Sequence, residues 1–63
     1  MKHQARQYIT RAAELGHVPA YFYMGWIHEF GIDTDPNREE AGDWYALSAN
    51  NRDPQAYFKL ALW

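Results

Sequence analysis

The 63-residue sequence contains no cysteine, which removes two devices that small domains commonly use to hold a fold together. Disulfide bonds and zinc sites built on thiolates are both excluded. A chain of this length forms at most one small domain and buries only about 60% of the surface that its unfolded form exposes. Its stability must therefore come mainly from apolar packing.

An excess of basic residues is also missing, because six lysine and arginine residues stand against eight acidic ones, for a net charge of -2. A nucleic-acid interface needs a positive patch that neutralises phosphates, so we expect no nucleic-acid partner.

No apolar run approaches the ~20 residues of a membrane span, and no targeting leader is recognisable, so we expect no membrane association. The cellular location stays open.

The chain does contain clear signals for helix starts. Proline fits the first turn of a helix, where its missing N–H would have no partner, and Pro19, Pro36 and Pro54 each precede a helix-like stretch. Asp35 and Asp53 stand directly before two of these prolines, so we expect their side chains to cap the helices that follow.

Signals for helix ends lie between these signals for helix starts. Gly16 and Gly31 are expected to adopt the left-handed conformation that terminates a helix, and Asn50 or Asn51 is expected to do the same. No alternating pattern typical of a strand is present. The punctuation therefore predicts an all-α chain with helices at residues 3–15, 19–30, 37–50 and 54–63.

Aromatic residues are unusually frequent, at 17% of the chain. Five of them lie close together in the second predicted helix: Tyr21, Phe22, Tyr23, Trp26 and Phe30. Glu29 is the one charged residue in this segment. A helix that is apolar on most sides is usually packed on most sides, so we expect it to lie in the middle of the stack.

The sequence also resembles itself when it is shifted by 36 positions. Small and large apolar residues recur at helical spacing, which lets helix axes approach closely and fills the space between them. The identical pairs are Ala5/Ala41, Ala13/Ala49, Ala20/Ala56, Tyr21/Tyr57 and Phe22/Phe58. The similar pairs are Tyr8/Trp44, Ala12/Ser48, Met24/Leu60 and Gly25/Ala61.

This pattern resembles the Sel1-like repeats, which are relatives of the tetratricopeptide repeats. The motif positions of the central unit are occupied by Ala20, Met24, Gly25, His28, Gly31, Asn37, Ala41, Trp44, Tyr45, Ser48 and Ala49. The chain departs from the family pattern at His28, which replaces a tyrosine, at Thr34, which replaces a valine, and at Arg52, which replaces the closing glycine. His28 is expected to pack at the tyrosine position and to bond Glu29 or a backbone group.

The resemblance implies an α-α superhelix, a solenoid of helical hairpins, with about four helices and under two full repeats. It implies that residues 1–16 are the second helix of a preceding repeat, that 17–52 are one full repeat, and that 53–63 are the first helix of a following one. The implied function is noncatalytic protein–protein interaction.

Other chemistry fits the sequence less well. Residues 33–37 place oxygen-bearing side chains at the first, third and fifth positions of a calcium loop, but Arg38 and Trp44 occupy the positions that need glycine and a bidentate glutamate. The histidines form no pair at helical spacing. Ser48 is the only serine and stands at a packing position, so we expect no catalytic residue, no metal and no cofactor. A metal site at His28 and the acidic loop remains a third hypothesis.

Four aromatic residues at positions where the family pattern is free are candidates for partner binding: Tyr21, Tyr23, Trp26 and Tyr57. They either pack between repeats or form a contact surface, because aromatic side chains dominate binding hot spots. Trp44 and Tyr45 match core positions and are expected to pack. The resemblance implies a scaffold module whose first helices line a concave surface for another protein. The alternative is a small self-assembling or regulatory subunit that joins copies of itself through uncapped ends.

Overall fold

The computed structural model describes the backbone of residues 2–63 and the side chains of residues 6–63. The repeat position assigned to Ala5 therefore lies outside the described side chains. The described residues form four helices and no strand: α1 (Lys2–Glu14), α2 (Val18–Phe30), α3 (Arg38–Asn50) and α4 (Pro54–Leu62). Each helix packs on the next along the chain. The predicted all-α class of stacked helical hairpins is confirmed.

Most of the predicted punctuation appears in the backbone. Pro19 and Pro54 occupy the first turns of α2 and α4, and the Asp53 side chain accepts a hydrogen bond from the Gln55 amide at 3.0 Å. Gly16 and Gly31 have φ angles of 85° and 68°, in the left-handed region that favours glycine.

The prediction that Asp35 caps α3 is wrong. The cap is Asn37, whose side-chain oxygen accepts a hydrogen bond from the Glu40 amide at 3.0 Å, and α3 begins one residue later. Pro36 lies outside the helix because its ring packs on Gly31, where an added Cβ would come within 2.7 Å of it. Pro36 therefore belongs to the loop, and the cap of α3 lies two residues after Asp35, at Asn37.

The end of α3 also differs from the expectation. Asn51 has an ordinary φ of -98°, and the left-handed residue is Arg52, with a φ of 67°. The Arg52 amide donates to the Ala49 carbonyl at 2.8 Å and the Asp53 amide donates to the Ser48 carbonyl at 3.2 Å, which is the hydrogen-bond pattern of a Schellman motif. A Schellman motif requires a left-handed residue directly after the helix cap, and here that residue is Arg52. The equivalent position one repeat earlier is occupied by Gly16.

The core consists of two clusters on opposite sides of α2. One contains Phe22, Ala41, Tyr45, Ala49 and Ala56, with Leu60 and Trp63 packed against it. The other contains Ala13, Ala20, Met24 and Ile27, with Ile9, Ala12, Tyr21 and Trp44 packed against it. The helix α2 therefore lies between α1 and α3, as expected for a central helix.

The expectation that α2 is covered on most sides is wrong for one face. Tyr23, Trp26 and Phe30 project from α2 into solvent. Two helices cover two sides of α2, while α4 packs on α3 and leaves the third side of α2 open. This open side is the feature of the fold that bears most directly on function.

Candidate functional site

An apolar groove runs between α2 and α4 on the open side of the helix stack. We call it the α2–α4 groove; its volume is about 620 Å³, and its walls are formed by Phe22, Tyr23, Trp26, Pro54, Gln55, Phe58, Lys59 and Leu62. Four of the large apolar side chains are well exposed: Tyr23 at 46%, Trp26 at 41%, Phe58 at 68% and Leu62 at 71%. Such a contiguous exposed apolar surface is typical of a site that another molecule covers.

Helical spacing explains the α2 wall. Residues three and four positions apart share a helix face, so Trp26 lies beside both Tyr23 and Phe22. The rings of Tyr23 and Trp26 meet edge to face, with centroids 5.7 Å apart, and those of Phe22 and Trp26 are 5.6 Å apart. Contacts of this kind stabilise aromatic pairs beyond simple burial and hold the rings in place.

The same rule builds the α4 wall from Phe58 and Leu62, four positions apart. Its start is fixed by Pro54 in the first turn and by Asp53, whose second carboxylate oxygen accepts a hydrogen bond from the Ser48 hydroxyl at 2.9 Å. Ser48 is completely buried in α3. The bond therefore ties the beginning of α4 to the core.

A polar bridge behind the groove joins three helices. The Tyr45 hydroxyl of α3 donates to Glu29 Oε1 of α2 at 2.6 Å, and Lys59 Nζ of α4 lies 3.0 Å from the same oxygen. The Lys59 ammonium also lies 5.6 Å from the ring centres of Phe30 and Tyr45. Because the side chains of Lys59 and Glu29 are only 25% and 19% exposed, water and salt screen this bridge less than they screen an ion pair on the open surface.

The polar bridge shifts the pKa values of Glu29 and Tyr45 in opposite directions. Burial raises the pKa of Glu29, but the hydrogen bonds from Tyr45 and Lys59, together with the positive charges of Lys59 and Arg38, outweigh burial and hold the pKa below its usual value. For Tyr45, burial, the hydrogen bond to Glu29 and the carboxylate charge all raise the pKa far above its usual range. At neutral pH, the ionised Glu29 carboxylate is therefore held by the neutral Tyr45 hydroxyl and the Lys59 ammonium group. This arrangement joins the helices and leaves no group poised for proton transfer.

The four aromatic residues predicted to bind a partner do not form one surface. Tyr23 and Trp26 line the α2–α4 groove, whereas Tyr21 lies on another side of α2 and stacks on Trp44, with ring centroids 6.0 Å apart. Tyr57 is exposed on α4 but is not among the residues that line the groove. A helix turns by about 100° per residue, so neighbours two positions apart point to nearly opposite sides.

Sequence reasoning missed the α4 wall of the groove, although a signal for it was present. The 36-residue offset pairs Phe22 with Phe58 and Trp26 with Leu62. Each pair places one member on the α2 wall and the other on the α4 wall. Had the two members of each pair been assigned to one shared surface, the offset would have identified Phe58 and Leu62 as the α4 wall.

The residues at the Sel1-like motif positions occupy the interior to different degrees. Those that are buried are Ala20, Met24, Gly25, Ala41, Tyr45 and Ala49, and those that are half-buried are His28, Gly31 and Trp44. Gly25 is the point of closest approach between helices, because an added Cβ would lie 2.3 Å from the Tyr45 ring.

His28 was expected to bond Glu29 or a backbone group, and its side chain contacts neither Glu29 nor α4. Its Nε2 lies 3.5 Å from Glu40 Oε1 on α3, while the Glu29 carboxylate turns toward α4. The backbone carbonyl of His28 accepts a hydrogen bond from the Asn37 amide at 2.7 Å. Across residues 6–63, no three side chains of metal-ligating type converge on one point.

The arrangement of the four helices defines the class of protein. Helical hairpins that recur at a fixed offset and cover each other with small and large apolar residues form an α-solenoid, in which each unit contacts only its neighbours. None of the helices in the described residues combines the length and the apolar character that a membrane-spanning segment requires.

The particular family follows from sequence comparison. Residues 2–17 and 18–53 match the profile described as the Sel1 repeat, so the chain belongs to the Sel1 repeat family, and the predicted resemblance is confirmed. Sel1 repeats are in general protein-interaction modules. Family membership points to a module of interaction and not of catalysis.

A curated relative is the chitin synthase regulator SKT5 of Saccharomyces cerevisiae, which is 39% identical to this chain over 59 residues. The alignment covers 94% of the chain and 8% of the yeast protein, so the chain spans only a small part of that relative's length. No solved structure matches the chain significantly.

Proposed function

We propose that the chain is a noncatalytic scaffold module that binds a segment of another protein in the α2–α4 groove. The observation that carries this proposal is the exposure of four large apolar side chains along one groove, namely Tyr23, Trp26, Phe58 and Leu62. Tyrosine and tryptophan are the residues most often found as binding hot spots, because they offer a large contact area at a small loss of side-chain freedom.

The polar bridge of Glu29, Tyr45 and Lys59 supports this function by fixing the distance between the two groove walls. It joins α2, α3 and α4 through two bonds to one carboxylate oxygen. A surface that is already in its binding shape loses less entropy when a partner arrives, so more of the contact energy appears as affinity.

We assign residues 1–16 to the second helix of a preceding repeat, 17–52 to one full repeat, and 53–63 to the first helix of a following one. Under this assignment α2 and α4 are successive first helices. Both line the α2–α4 groove, so each additional repeat would lengthen the same concave surface.

The positions of the polar residues support a noncatalytic role. Ser48 is fully buried, so a substrate cannot reach its hydroxyl, and the bond from that hydroxyl to Asp53 holds the start of α4. Glu39, Glu40 and Asp43 are exposed on α3 and lie away from the groove.

The named role of the yeast relative is regulation of another protein, chitin synthase. Regulation through binding is consistent with a groove of this kind. For this chain we propose only the shared step, the binding of a protein segment.

Site-specific photo-crosslinking tests the proposal. A photoreactive phenylalanine analogue is placed at Leu62 in the groove, or at Leu15 as a control, since the two positions are exposed to 71% and 72% and Leu15 lies outside the groove. We expect one protein to be captured from Leu62 and not from Leu15. That protein is then purified, and its affinity for the chain is measured by calorimetry.

Truncation of Trp26 provides the quantitative check. Loss of a hot-spot aromatic costs at least about 2 kcal/mol, so Trp26→Ala should weaken the purified complex by about 30-fold, while Leu15→Ala should leave it unchanged. Equal affinities for the two variants would remove the groove as the binding site.

A further inference from the structure

One face of α4 and one face of α1 carry exposed aromatic side chains, and the internal repeat relates these two faces to a pair of faces that are in contact. We call Tyr57, Phe58 and Ala61 the α4 outer face, and the exposed Tyr8 with the half-buried Ile9 beside it the α1 outer face. Tyr57 and Phe58 are 58% and 68% exposed, and Tyr8 is 74% exposed.

The 36-residue offset maps each outer face onto one side of an interface that is already formed. The α4 outer face corresponds to Tyr21, Phe22 and Gly25 on α2, and the α1 outer face corresponds to Trp44 and Tyr45 on α3. In the structure, Tyr21 stacks on Trp44 at 6.0 Å, and Phe22 packs on Tyr45 with ring centroids 5.2 Å apart. The α2–α3 interface is therefore a template for the two uncovered faces.

The other faces of these helices already follow the same template. Ala20, Met24 and Ile27 of α2 pack against α1. Their counterparts are Ala56 and Leu60 of α4 and Trp63 directly after it, and these pack against α3. Because these inward faces are equivalent, α4 turns toward solvent the side that α2 turns toward α3. The outer face of α4 thus has the correct orientation to receive a helix of the α3 type.

The sizes of the facing side chains are also matched. The Tyr45 ring fills the space that a Cβ at Gly25 would occupy, at 2.3 Å. At the equivalent positions, α4 has alanine (Ala61) and α1 has isoleucine (Ile9). The added methyl group on one helix is accompanied by a smaller side chain on the other, which preserves the volume of the contact.

We propose that two copies of this chain associate head to tail, with α1 of one copy covering the α4 outer face of the next. The contact reproduces the α2–α3 interface, with Tyr57 on the partner's Tyr8 and Phe58 beside the partner's Ile9. The two faces are different, so the association is heterologous and each copy retains one free face for a further copy.

The association would also extend the α2–α4 groove. Phe22 lines this groove while α3 covers its other side, leaving it 8% exposed. Phe58 lines the groove but has no such cover. The second copy would support Phe58 as α3 supports Phe22.

Sedimentation of two complementary variants tests the proposal. Tyr8→Asp removes the α1 outer face, and Tyr57→Asp removes the α4 outer face, by placing a charge in the apolar contact. We expect the mass of the unmodified chain to rise with concentration up to about 1 mM without stopping at a dimer. Each variant alone should be monomeric, and a one-to-one mixture should form a dimer and nothing larger.

Every other outcome overturns the proposal. It fails if the unmodified chain stays monomeric over this range, if either variant still associates alone, or if the mixture stays monomeric. Association of Tyr8→Asp alone would indicate a symmetric contact between α4 faces. Leu15→Asp, outside both faces, should associate like the unmodified chain.

Folding and groove binding are followed separately. Tyr8 and Tyr57 are exposed, and helicity is checked by circular dichroism; serine replaces aspartate at either position where helicity falls. Trp26→Ala leaves both outer faces intact and should still self-associate, while Tyr8→Asp should still bind a groove partner. Failure of one proposal is thereby distinguished from failure of the other.

Discussion

Replacing Gly25 with alanine adds one methyl group where α2 and α3 approach most closely. The new Cβ would lie 2.3, 2.5 and 2.8 Å from three atoms of the Tyr45 ring. Tyr45 is completely buried, and its hydroxyl is held by Glu29 at 2.6 Å. The ring cannot turn aside without breaking that bond, so the two helices must separate.

Two opposing effects decide the size of the change in unfolding free energy. Alanine is favoured over glycine in a helix interior by about 1 kcal/mol. Overpacking a core costs about 1–3 kcal/mol, and three sub-3 Å contacts with a fixed ring place this site at the upper end of that range or above it. We therefore expect Gly25→Ala to destabilise the fold by about 2 kcal/mol.

Urea titration followed by far-UV circular dichroism measures this loss. A fixed concentration of trimethylamine N-oxide keeps the small domain folded at the start of the titration, because this osmolyte favours the compact state. In a thermal scan the same loss lowers the melting temperature by about 8–16 °C for a chain of this size.

Gly42→Ala is the matched control. Gly42 is a helical glycine in α3, and its added Cβ would meet Trp63 Nε1 at 3.1 Å, with the next contacts at 3.7 and 3.8 Å. Trp63 is only half-buried and can shift by a few tenths of an ångström, so this variant should be neutral or stabilised by up to about 1 kcal/mol. Equal stability changes for the two variants would refute the contact between Gly25 and Tyr45 as the limiting approach.

Three further changes test the helix ends and the polar bridge in the same titration. Arg52→Gly should raise the free energy of unfolding by about 1 kcal/mol because glycine adopts the left-handed φ of 67° without strain, whereas Arg52→Ala should bring no such gain; equal effects would contradict the strain. Ser48→Ala should cost about 1 kcal/mol through loss of the bond to Asp53, and no cost would show that this bond does not hold α4. Because the pKa of Glu29 is lowered in the folded chain, the ionised carboxylate adds to the free energy of unfolding at pH values above its ordinary pKa of 4.5. This contribution is lost as the pH falls through the lower pKa of the folded state. The stability difference between the unmodified chain and Glu29→Gln should therefore shrink at pH 3, and a difference that is equal at pH 7 and pH 3 would exclude an ionised Glu29 bound to Lys59.

Local signals in the sequence were sufficient for the helices and for the family. A proline in a first turn and a glycine after a last turn act within a few residues, so Pro19 and Gly31 marked their boundaries without knowledge of the rest of the fold. The errors came where a tertiary contact competed with a local rule. Pro36 packs on Gly31 and shifts the cap of α3 from Asp35 to Asn37.

Only the tertiary structure separated the aromatic residues by role. Periodicity shows which side chains share a helix face, but not which faces a neighbouring helix covers. Tyr21 and Tyr23 looked alike in the sequence, yet Tyr21 packs under Trp44 and Tyr23 lines the groove.

The sequence by itself determined the four helices, their 36-residue repeat and membership in the Sel1 repeat family, because these depend on spacing along the chain. Packing decided the α2–α4 groove and the bridge of Glu29, Tyr45 and Lys59. These three side chains come from three helices, and their charges and hydrogen bonds act over distances that exist only once the helices are stacked.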